Sequence, residues 1–184
     1  GHRRMLGPEG KYGAWLLTLP AAITINGTVY MHGGPSTALG NRSIAELAAD
    51  YSAAVAGYVA AESELRKAGL IQLEDAYAKR ADLARTRLDA MPADQKAALG
   101  PAVARFKAAD DSPLLGASGP NWYRGASLCN ECAESDVLKP FLQRTAAKRV
   151  VVGHTVARNG TVVSRFDGAI VKLDAGMNHA VYKG

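Results

Sequence analysis

The stretch Lys148-Arg149-Val150-Val151-Val152-Gly153-His154-Thr155 decides how this 184-residue chain folds. Its three consecutive valines predict a buried β-strand, because β-branched side chains pack well on a covered, pleated sheet. The glycine that follows allows a sharp turn and leaves His154 at the end of the strand. Ligands collect at the ends of strands in layered α/β sheets. We therefore expect an α/β fold with its chemistry at this position.

A second histidine occupies the same setting near the beginning of the chain. Residues 21–25 and 28–32 are short β-prone runs separated by Asn26-Gly27, a strong hairpin signal because both residues tolerate positive φ. The second run ends in His32, which two glycines and a proline follow. A further hairpin is predicted for residues 161–166 and 169–173.

Residues 41–113 have a different character. Alanine makes up 21 of these 73 residues, and apolar side chains recur at helical spacing. Ser43 and Glu46 form a capping-box pattern at the start of a helix that Gly69 ends. A second helix is predicted over residues 71–91, and Pro92 and Pro101 are each expected to begin a shorter one. Another helix is predicted over residues 135–147, with Pro140 in its first turn or at a bend.

The composition excludes several classes of protein. Hydrophobic residues make up 48% and charged residues 21% of the chain, a balance typical of globular proteins and not of disordered or fibrous ones. No apolar stretch reaches the roughly 18 to 20 residues of a membrane helix. The net charge of +5 suits anionic substrates such as phosphate esters, but the basic residues are dispersed, so we expect no nucleic-acid partner. A periplasmic and a cytoplasmic location are both open.

The two strand-end histidines favour a metal site. A neutral imidazole binds divalent transition metals. Taken singly, His32 or His154 is as readily a structural residue. Their shared setting makes a common metal ion the better interpretation.

Four motifs carry a resemblance to a known family through their order and spacing. They are Tyr30-Met31-His32-Gly33-Gly34, Trp122-Tyr123-Arg124-Gly125, Val150-Val151-Val152-Gly153-His154-Thr155 and Leu173-Asp174-Ala175-Gly176-Met177. Together they resemble the second half of the calcineurin-like metallophosphoesterase superfamily, in particular the bacterial-type, Shewanella-like phosphoprotein phosphatases. The segment 10–16 also fits the part of the family that precedes its His-Gly-Gly strand.

The resemblance implies a fold, an activity and a set of site residues. The fold would be part of a layered αββα metallophosphoesterase sandwich, with residues 41–113 as an alanine-rich helical insertion between the parts 1–40 and 114–184. His32 and His154 would bind one metal of a pair of divalent ions, such as Mn, Fe or Zn. Arg124 would bind the substrate phosphate, a task that suits the planar, always charged guanidinium. The activity would be phosphomonoester hydrolysis by a metal-activated hydroxide, with phosphorylated Ser, Thr or Tyr of a protein as the first expected substrate.

The sequence also departs from the family. The Asp-x-His, Gly-Asp-x-x-Asp-Arg and Gly-Asn-His-Asp/Glu motifs of the family's first half do not occur in it. Those motifs supply the bridging aspartate, the asparagine ligand, the ligands of the other metal and an acid histidine. We interpret the chain as the C-terminal part of the enzyme, truncated at both ends. Its partner would be the missing N-terminal half, and the isolated fragment is expected to be inactive.

Several assignments and two other functions stay open. Asp174 and His179 are candidate supporting residues behind the metal ligands, although Asp174 equally serves to hold the turn at Gly176 and His179 equally suits a surface position. Cys129 and Cys132 have the spacing of a zinc or redox pair, but the sequence offers no second pair. The alternative functions are hydrolysis of a dinucleoside polyphosphate or other nucleotide, and a non-catalytic binding module that lacks the first-half motifs.

Overall fold

The computed structural model describes residues 2–157 and 160–177. Two short 3₁₀ turns, at Thr37–Leu39 and Tyr77–Lys79, accompany the helices and strands. The helices are α1 (His2–Leu6), α2 (Lys11–Leu16), α3 (Ile44–Lys67), α4 (Arg80–Asp89), α5 (Ala93–Asp110), α6 (Gly125–Leu128) and α7 (Glu131–Thr145), and the strands are β1 (Ala22–Ile25), β2 (Thr28–Met31), β3 (Arg149–Val152), β4 (Val163–Arg165) and β5 (Ile170–Lys172).

The chain divides into two compact units. One comprises residues 1–19 and 52–112, and the other comprises residues 20–51 and 113–184. The first is helical in its described part, and the second contains the sheet. The segment boundaries predicted from the sequence remain a prediction.

The second unit is built on a five-stranded mixed sheet with the strand order β1-β2-β3-β5-β4. Strands β2, β3 and β5 run parallel, and the two edge strands are antiparallel to their neighbours. The predicted hairpin at Asn26-Gly27 is confirmed, with φ of 51° and 71° at the two turn residues. The second predicted hairpin is confirmed between β4 and β5. The expected α/β class is therefore present as a mixed sheet with helices.

One face of the sheet forms the core of this unit. Val29, Val150 and Ile170 are fully buried on three adjacent parallel strands. They belong to one cluster with Leu47 of α3 and with Phe141 of α7. Burial of each such aliphatic side chain stabilises the fold by roughly 1.5–3 kcal/mol, so this face fixes the position of β2, β3 and β5.

The opposite face carries an apolar row that the described residues leave partly open. Ile23, Tyr30, Val151 and Val171 lie side by side across four strands. Ile23 and Tyr30 are 42% and 38% exposed, and Ile25 is 50% exposed. Parallel strands are usually covered on both faces. We call these five residues the open face.

The capping box predicted at the start of α3 is confirmed. The Ser43 hydroxyl accepts a hydrogen bond from the Glu46 N–H at 3.2 Å, and the Glu46 carboxylate accepts one from the Ser43 N–H at 2.8 Å. The helix ends at Lys67, before Gly69, whose φ is 74°. These reciprocal bonds satisfy two donors that the first turn of a helix leaves free.

The helix predicted over residues 71–91 is wrong in its first half, because α4 begins only at Arg80. The Asp75 carboxylate accepts a hydrogen bond from the Gln72 N–H at 2.6 Å and binds both Nη atoms of Arg87, at 2.5 and 2.7 Å. Such local side-chain bonds to the backbone compete with helix formation. The ion pair thereby ties a turn to α4.

Both internal prolines lie deeper in their helices than predicted. Pro92 precedes α5 as expected, but Pro101 begins no new helix and lies within α5. Pro140 likewise lies inside α7, which begins at Glu131 because the Asn130 side chain caps it through a 2.8 Å hydrogen bond from the Cys132 N–H. Packing of the apolar face outweighs the lost backbone bond in each case. No helix within the described residues is long and apolar enough to cross a membrane.

Replacement of Asp75 by Asn should destabilise the helical unit in a pH-dependent way. Hydrogen bonding by Arg87 and by the Gln72 N–H lowers the pKa of Asp75 to about 2. The ionised carboxylate therefore stabilises the fold fully above about pH 4 and loses this effect as the pH falls toward 2. Thermal unfolding followed by circular dichroism should show a lower melting temperature for Asp75→Asn at pH 7, with the difference from wild type shrinking on acidification.

The matched control is Asp89→Asn, which removes the exposed Arg85–Asp89 pair with side chains 71% and 61% exposed. Exposed pairs contribute about 0–1 kcal/mol. The stabilising role of the Asp75–Arg87 pair would be contradicted if Asp75→Asn lowered the melting temperature equally at every pH. It would also be contradicted if Asp89→Asn lowered the melting temperature by the same amount.

Candidate metal and phosphate site

The two strand-end histidines are brought together by the pairing of β2 with β3. The strands are parallel, with Met31 opposite Val152. The ladder continues one residue further, since the Gly153 N–H donates to the His32 carbonyl at 2.9 Å. His32 and His154 thus emerge side by side at the carboxyl ends of neighbouring strands.

Their imidazole rings meet edge to edge. Nε2 of His32 lies 3.1 Å from Nδ1 of His154, and the ring centroids are 4.8 Å apart with the planes inclined by 56°. The backbone of His154 has a φ of 58°, the left-handed conformation that turns the chain directly after Gly153. This turn places Nδ1 of His154 opposite Nε2 of His32.

Arg124 lies against the same turn. Its Nη1 donates to the His154 carbonyl at 2.9 Å and to the Thr155 hydroxyl at 3.1 Å. The rest of its side chain is exposed. Within the described residues, only Nη1 of Arg124 makes hydrogen bonds, while a guanidinium has further N–H donors on Nε and Nη2. The structure therefore brings the three principal predicted site residues together.

The loop that carries Arg124 packs directly on the glycine after His32. The Gly33 N–H donates to the Pro120 carbonyl at 2.7 Å. A Cβ atom on Gly33 would lie 2.8 Å from the Pro120 carbonyl oxygen and 2.9 Å from the Tyr123 nitrogen. Gly33 is thus required by close backbone approach, and this approach sets the position of residues 120–125.

Tyr123 and Glu134 support this loop from the side. The Tyr123 hydroxyl donates to the Glu134 carboxylate at 2.8 Å, and burial, then this bond, raises the pKa of Tyr123 to about 12. A Cβ on Gly125 would lie 2.1 Å from the Tyr123 hydroxyl. The sequence analysis missed this support. The available signal was Gly125, the small residue two positions after Tyr123 in the Trp-Tyr-Arg-Gly motif.

Burial is the main electrostatic influence on His154. It lowers the pKa of the imidazole, and the positive charge of Arg124 and the proximity of His32 act in the same direction, while Asp174 opposes them. The neutral ring that results is the form that binds metals. Asp174 itself accepts a hydrogen bond from the Gly176 N–H at 3.1 Å, so its side chain holds that turn, and its supporting role at the metal site stays a prediction.

Trp122 is a neighbour of His154 that the sequence analysis did not assign. The two rings are nearly perpendicular, at 86°, with centroids 5.3 Å apart, and the indole is 53% exposed. Its place two residues before Arg124 was the available signal. Trp122, Arg124 and His32 surround His154 on different sides.

The remaining candidates lie elsewhere. His179 falls outside the described residues. Cys129 and Cys132 are exposed free thiols near the start of α7. Across residues 2–157 and 160–177, no group of three or more His, Cys, Asp or Glu side chains is arranged to hold a metal ion. Any metal at the histidine pair therefore has only these two ligands among the described residues.

The histidine pair nevertheless fits a metal. Two imidazole nitrogens bound at about 2.1 Å to one ion, with an angle of roughly 90–110° between them, lie about 3.0–3.4 Å apart. The observed separation of 3.1 Å falls in this range. The unprotonated imidazole nitrogen is a ligand of the type that Zn, Mn and Fe accept.

Comparisons with known proteins give a fold likeness. No family model matches this chain, and no curated protein matches it. A solved cold-active protein-tyrosine phosphatase of a psychrophilic Shewanella species is similar over 92% of this chain and 38% of its own, with 22% sequence identity and a TM-score of 0.53. A further structure of a cold-active protein tyrosine phosphatase, at 1.1 Å resolution, is similar over 92% of this chain and 37% of its own, with 21% identity and a TM-score of 0.51.

The likeness establishes similarity of fold. The chain spans little more than a third of the length of these phosphatases. The mixed α/β arrangement is thus one that a phosphatase uses.

Gly33→Ala should displace the Arg124 loop. The added methyl group would overlap backbone atoms that cannot rotate away, and overpacking of this kind costs about 1–3 kcal/mol. The urea midpoint of tryptophan fluorescence should fall accordingly. Gly57→Ala is the control, since nothing lies within 4 Å of its Cβ position in α3, and alanine should raise stability by roughly 0.5–1 kcal/mol. Equal urea midpoints for Gly33→Ala and Gly57→Ala would contradict the claim that Gly33 is required by the close approach of the loop.

Proposed function

We propose that this chain carries half of the active site of a metal-dependent phosphatase. In this proposal His32 and His154 bind one divalent metal ion of a pair, and Arg124 binds the phosphate of the substrate. The observation that carries the proposal is the 3.1 Å approach of Nε2 and Nδ1 at neighbouring parallel strand ends, beside an exposed guanidinium. The phosphatase-like fold supports it.

Each residue has a separate task in this site. The bound metal ions would supply Lewis-acid chemistry, which acidifies water and offsets phosphate charge. Arg124 holds the His154 turn through Nη1. Its Nε and Nη2 would bind phosphoryl oxygens. One guanidinium would thus contact both the metal ligand's turn and the substrate. The Thr155 hydroxyl accepts a second bond from Nη1 and fixes the orientation of the fork.

A second polypeptide layer completes the site in this proposal. Two neutral ligands fall short of the usual three protein ligands of a catalytic metal. The open face lies on the same sheet, and its residues Ile23 and Tyr30 are partly exposed. An apolar sheet face of this kind can be covered by a second β-sheet, which packs about 10 Å away. Such a layer would form the αββα sandwich and carry the missing carboxylate and amide ligands. The motifs that supply those ligands belong to the first half of the family that the sequence resembles. We therefore expect this layer to be the N-terminal half of the same enzyme.

Ile23→Lys should separate folding of this chain from completion of the site. The side chain is already 42% exposed, so the urea stability of the 184-residue chain should change by less than about 0.5 kcal/mol. In the longer enzyme the lysine would be buried without a partner, and activity should be lost. Ile23→Val is the control and should retain activity. Full activity of Ile23→Lys in the longer enzyme would exclude the open face as the packing surface.

Hydrolysis of p-nitrophenyl phosphate with added Mn²⁺ tests the proposed function. The 184-residue chain alone should show negligible turnover, because it lacks most of the ligands. The longer enzyme should be active and lose activity on chelation by EDTA. His32→Ala or His154→Ala should reduce kcat by more than the roughly 10–100-fold typical of residues behind the ligands. Arg124→Ala should lower kcat/KM about 10- to 150-fold, from roughly 1.5–3 kcal/mol per bond to a charged group.

The substrates and the controls separate the alternatives. Phosphopeptides as preferred substrates would support a protein phosphatase, whereas preference for dinucleoside polyphosphates would support nucleotide hydrolysis. Lys148→Ala, at the opposite end of β3 from His154, is a matched basic-residue control for Arg124→Ala. Robust turnover by the isolated chain, or activity that survives loss of both histidines, would overturn the metal-site assignment.

A further inference from the structure

One nitrogen of His154 lacks a conventional partner in its surroundings. Nδ1 faces His32, but Nε2 on the other side of the ring is buried and, among the described residues, has no hydrogen-bond acceptor. A buried N–H without any partner destabilises the folded state. Metal-binding histidines ordinarily direct this second nitrogen at a carboxylate or a carbonyl. The Asp174 side chain bonds instead to the Gly176 N–H.

The group that lies against the His154 ring is an indole. The ring of Trp122 stands nearly perpendicular to the imidazole at a centroid distance of 5.3 Å. In this arrangement the edge of one ring meets the face of the other, and the face of an aromatic ring is its negative side. An N–H directed at such a face makes a weak hydrogen bond.

We propose that Trp122 is a positioning residue that receives the Nε2–H of His154 on its indole and thereby fixes the tautomer of this ring. With the proton on Nε2, the lone pair of Nδ1 is free to bind the metal together with Nε2 of His32. In the metal-free chain the same lone pair accepts a hydrogen bond from the Nε2–H of His32, across the observed 3.1 Å. Metal binding by Nε2 of His32 then requires this ring to take its other neutral tautomer, with the proton on Nδ1. The inference rests on the proposed metal site, but the tautomer belongs to this chain and exists without a metal.

The experiment measures the tautomer directly in the metal-free 184-residue chain. Long-range ¹H–¹⁵N correlation spectra of the imidazole rings distinguish a protonated Nε2 from a protonated Nδ1. The four histidines of the sequence can be assigned by single His→Gln variants. The expected result is a single Nε2–H tautomer for His154 in the wild-type chain. Trp122→Leu, which keeps an apolar side chain but removes the aromatic face, should give a mixture of the two tautomers, and Trp122→Phe should restore the single form.

Zinc titration of the same proteins, followed by calorimetry and by the His154 signals, gives a second readout. Trp122→Leu should weaken Zn²⁺ binding about 10-fold, within the range for residues behind a ligand, and Trp122→Phe should have a smaller effect. Amide spectra with preserved dispersion show that a variant is folded, and Trp15→Leu is the control for loss of an exposed tryptophan.

The outcomes separate this inference from the proposed function. A protonated Nδ1 in wild type, or an unchanged His154 tautomer in folded Trp122→Leu, would overturn the role of Trp122 even if Zn²⁺ binds at the histidine pair. A Trp122-dependent tautomer without Zn²⁺ binding would support the positioning role and count against the metal site.

Discussion

The parallel pairing of β2 with β3 is the constraint on which the candidate site depends. Its hydrogen bonds extend past the strands to the His32 carbonyl and the Gly153 N–H. A slip of one residue would turn every side chain of a strand to the other face, and the burial of Val29 and Val150 prevents it. Core packing on one side of the sheet therefore determines the distance between two imidazoles at its end.

Around this pair the loop 120–125 is held by backbone contacts and by side-chain bonds together. Gly33 allows the loop to approach closely, and Gly125 makes room for the Tyr123 hydroxyl, which bonds to Glu134. The loop positions Arg124, whose Nη1 bonds in turn to the His154 carbonyl and the Thr155 hydroxyl. In the proposed site a guanidinium already held by these bonds needs little rearrangement to meet a phosphate.

The two faces of the sheet differ in a way that bears on function. The core face is closed by helices, whereas the open face keeps an apolar row accessible at Ile23 and Tyr30. Among the described residues no third metal-binding side chain accompanies the two histidines, and in the same unit one sheet face is incompletely covered. In the proposed function a second layer accounts for both features, because it would supply further ligands as it covers the sheet. The alanine-rich helices form a separate unit with ion pairs of its own, such as Asp75 with Arg87.

The sequence by itself determined the class of fold, both hairpins and the capping box at Ser43, because these depend on local backbone preferences and short motifs. It also singled out His32, His154 and Arg124, whose metal and phosphate roles stay a prediction. The limits of the helices were less predictable. The helix expected from residue 71 begins at Arg80, because the Asp75 carboxylate binds Arg87, 12 residues away. Likewise, Pro101 and Pro140 lie inside helices whose tertiary packing outweighs a lost backbone bond. Only the tertiary structure decided that His32 and His154 approach to 3.1 Å and that the Trp122 ring lies 5.3 Å from that of His154. It also decided that, among the described residues, one sheet face is partly exposed. Those features depend on the order and register of strands from segments about 120 residues apart in the chain. Local sequence patterns do not specify such long-range pairings.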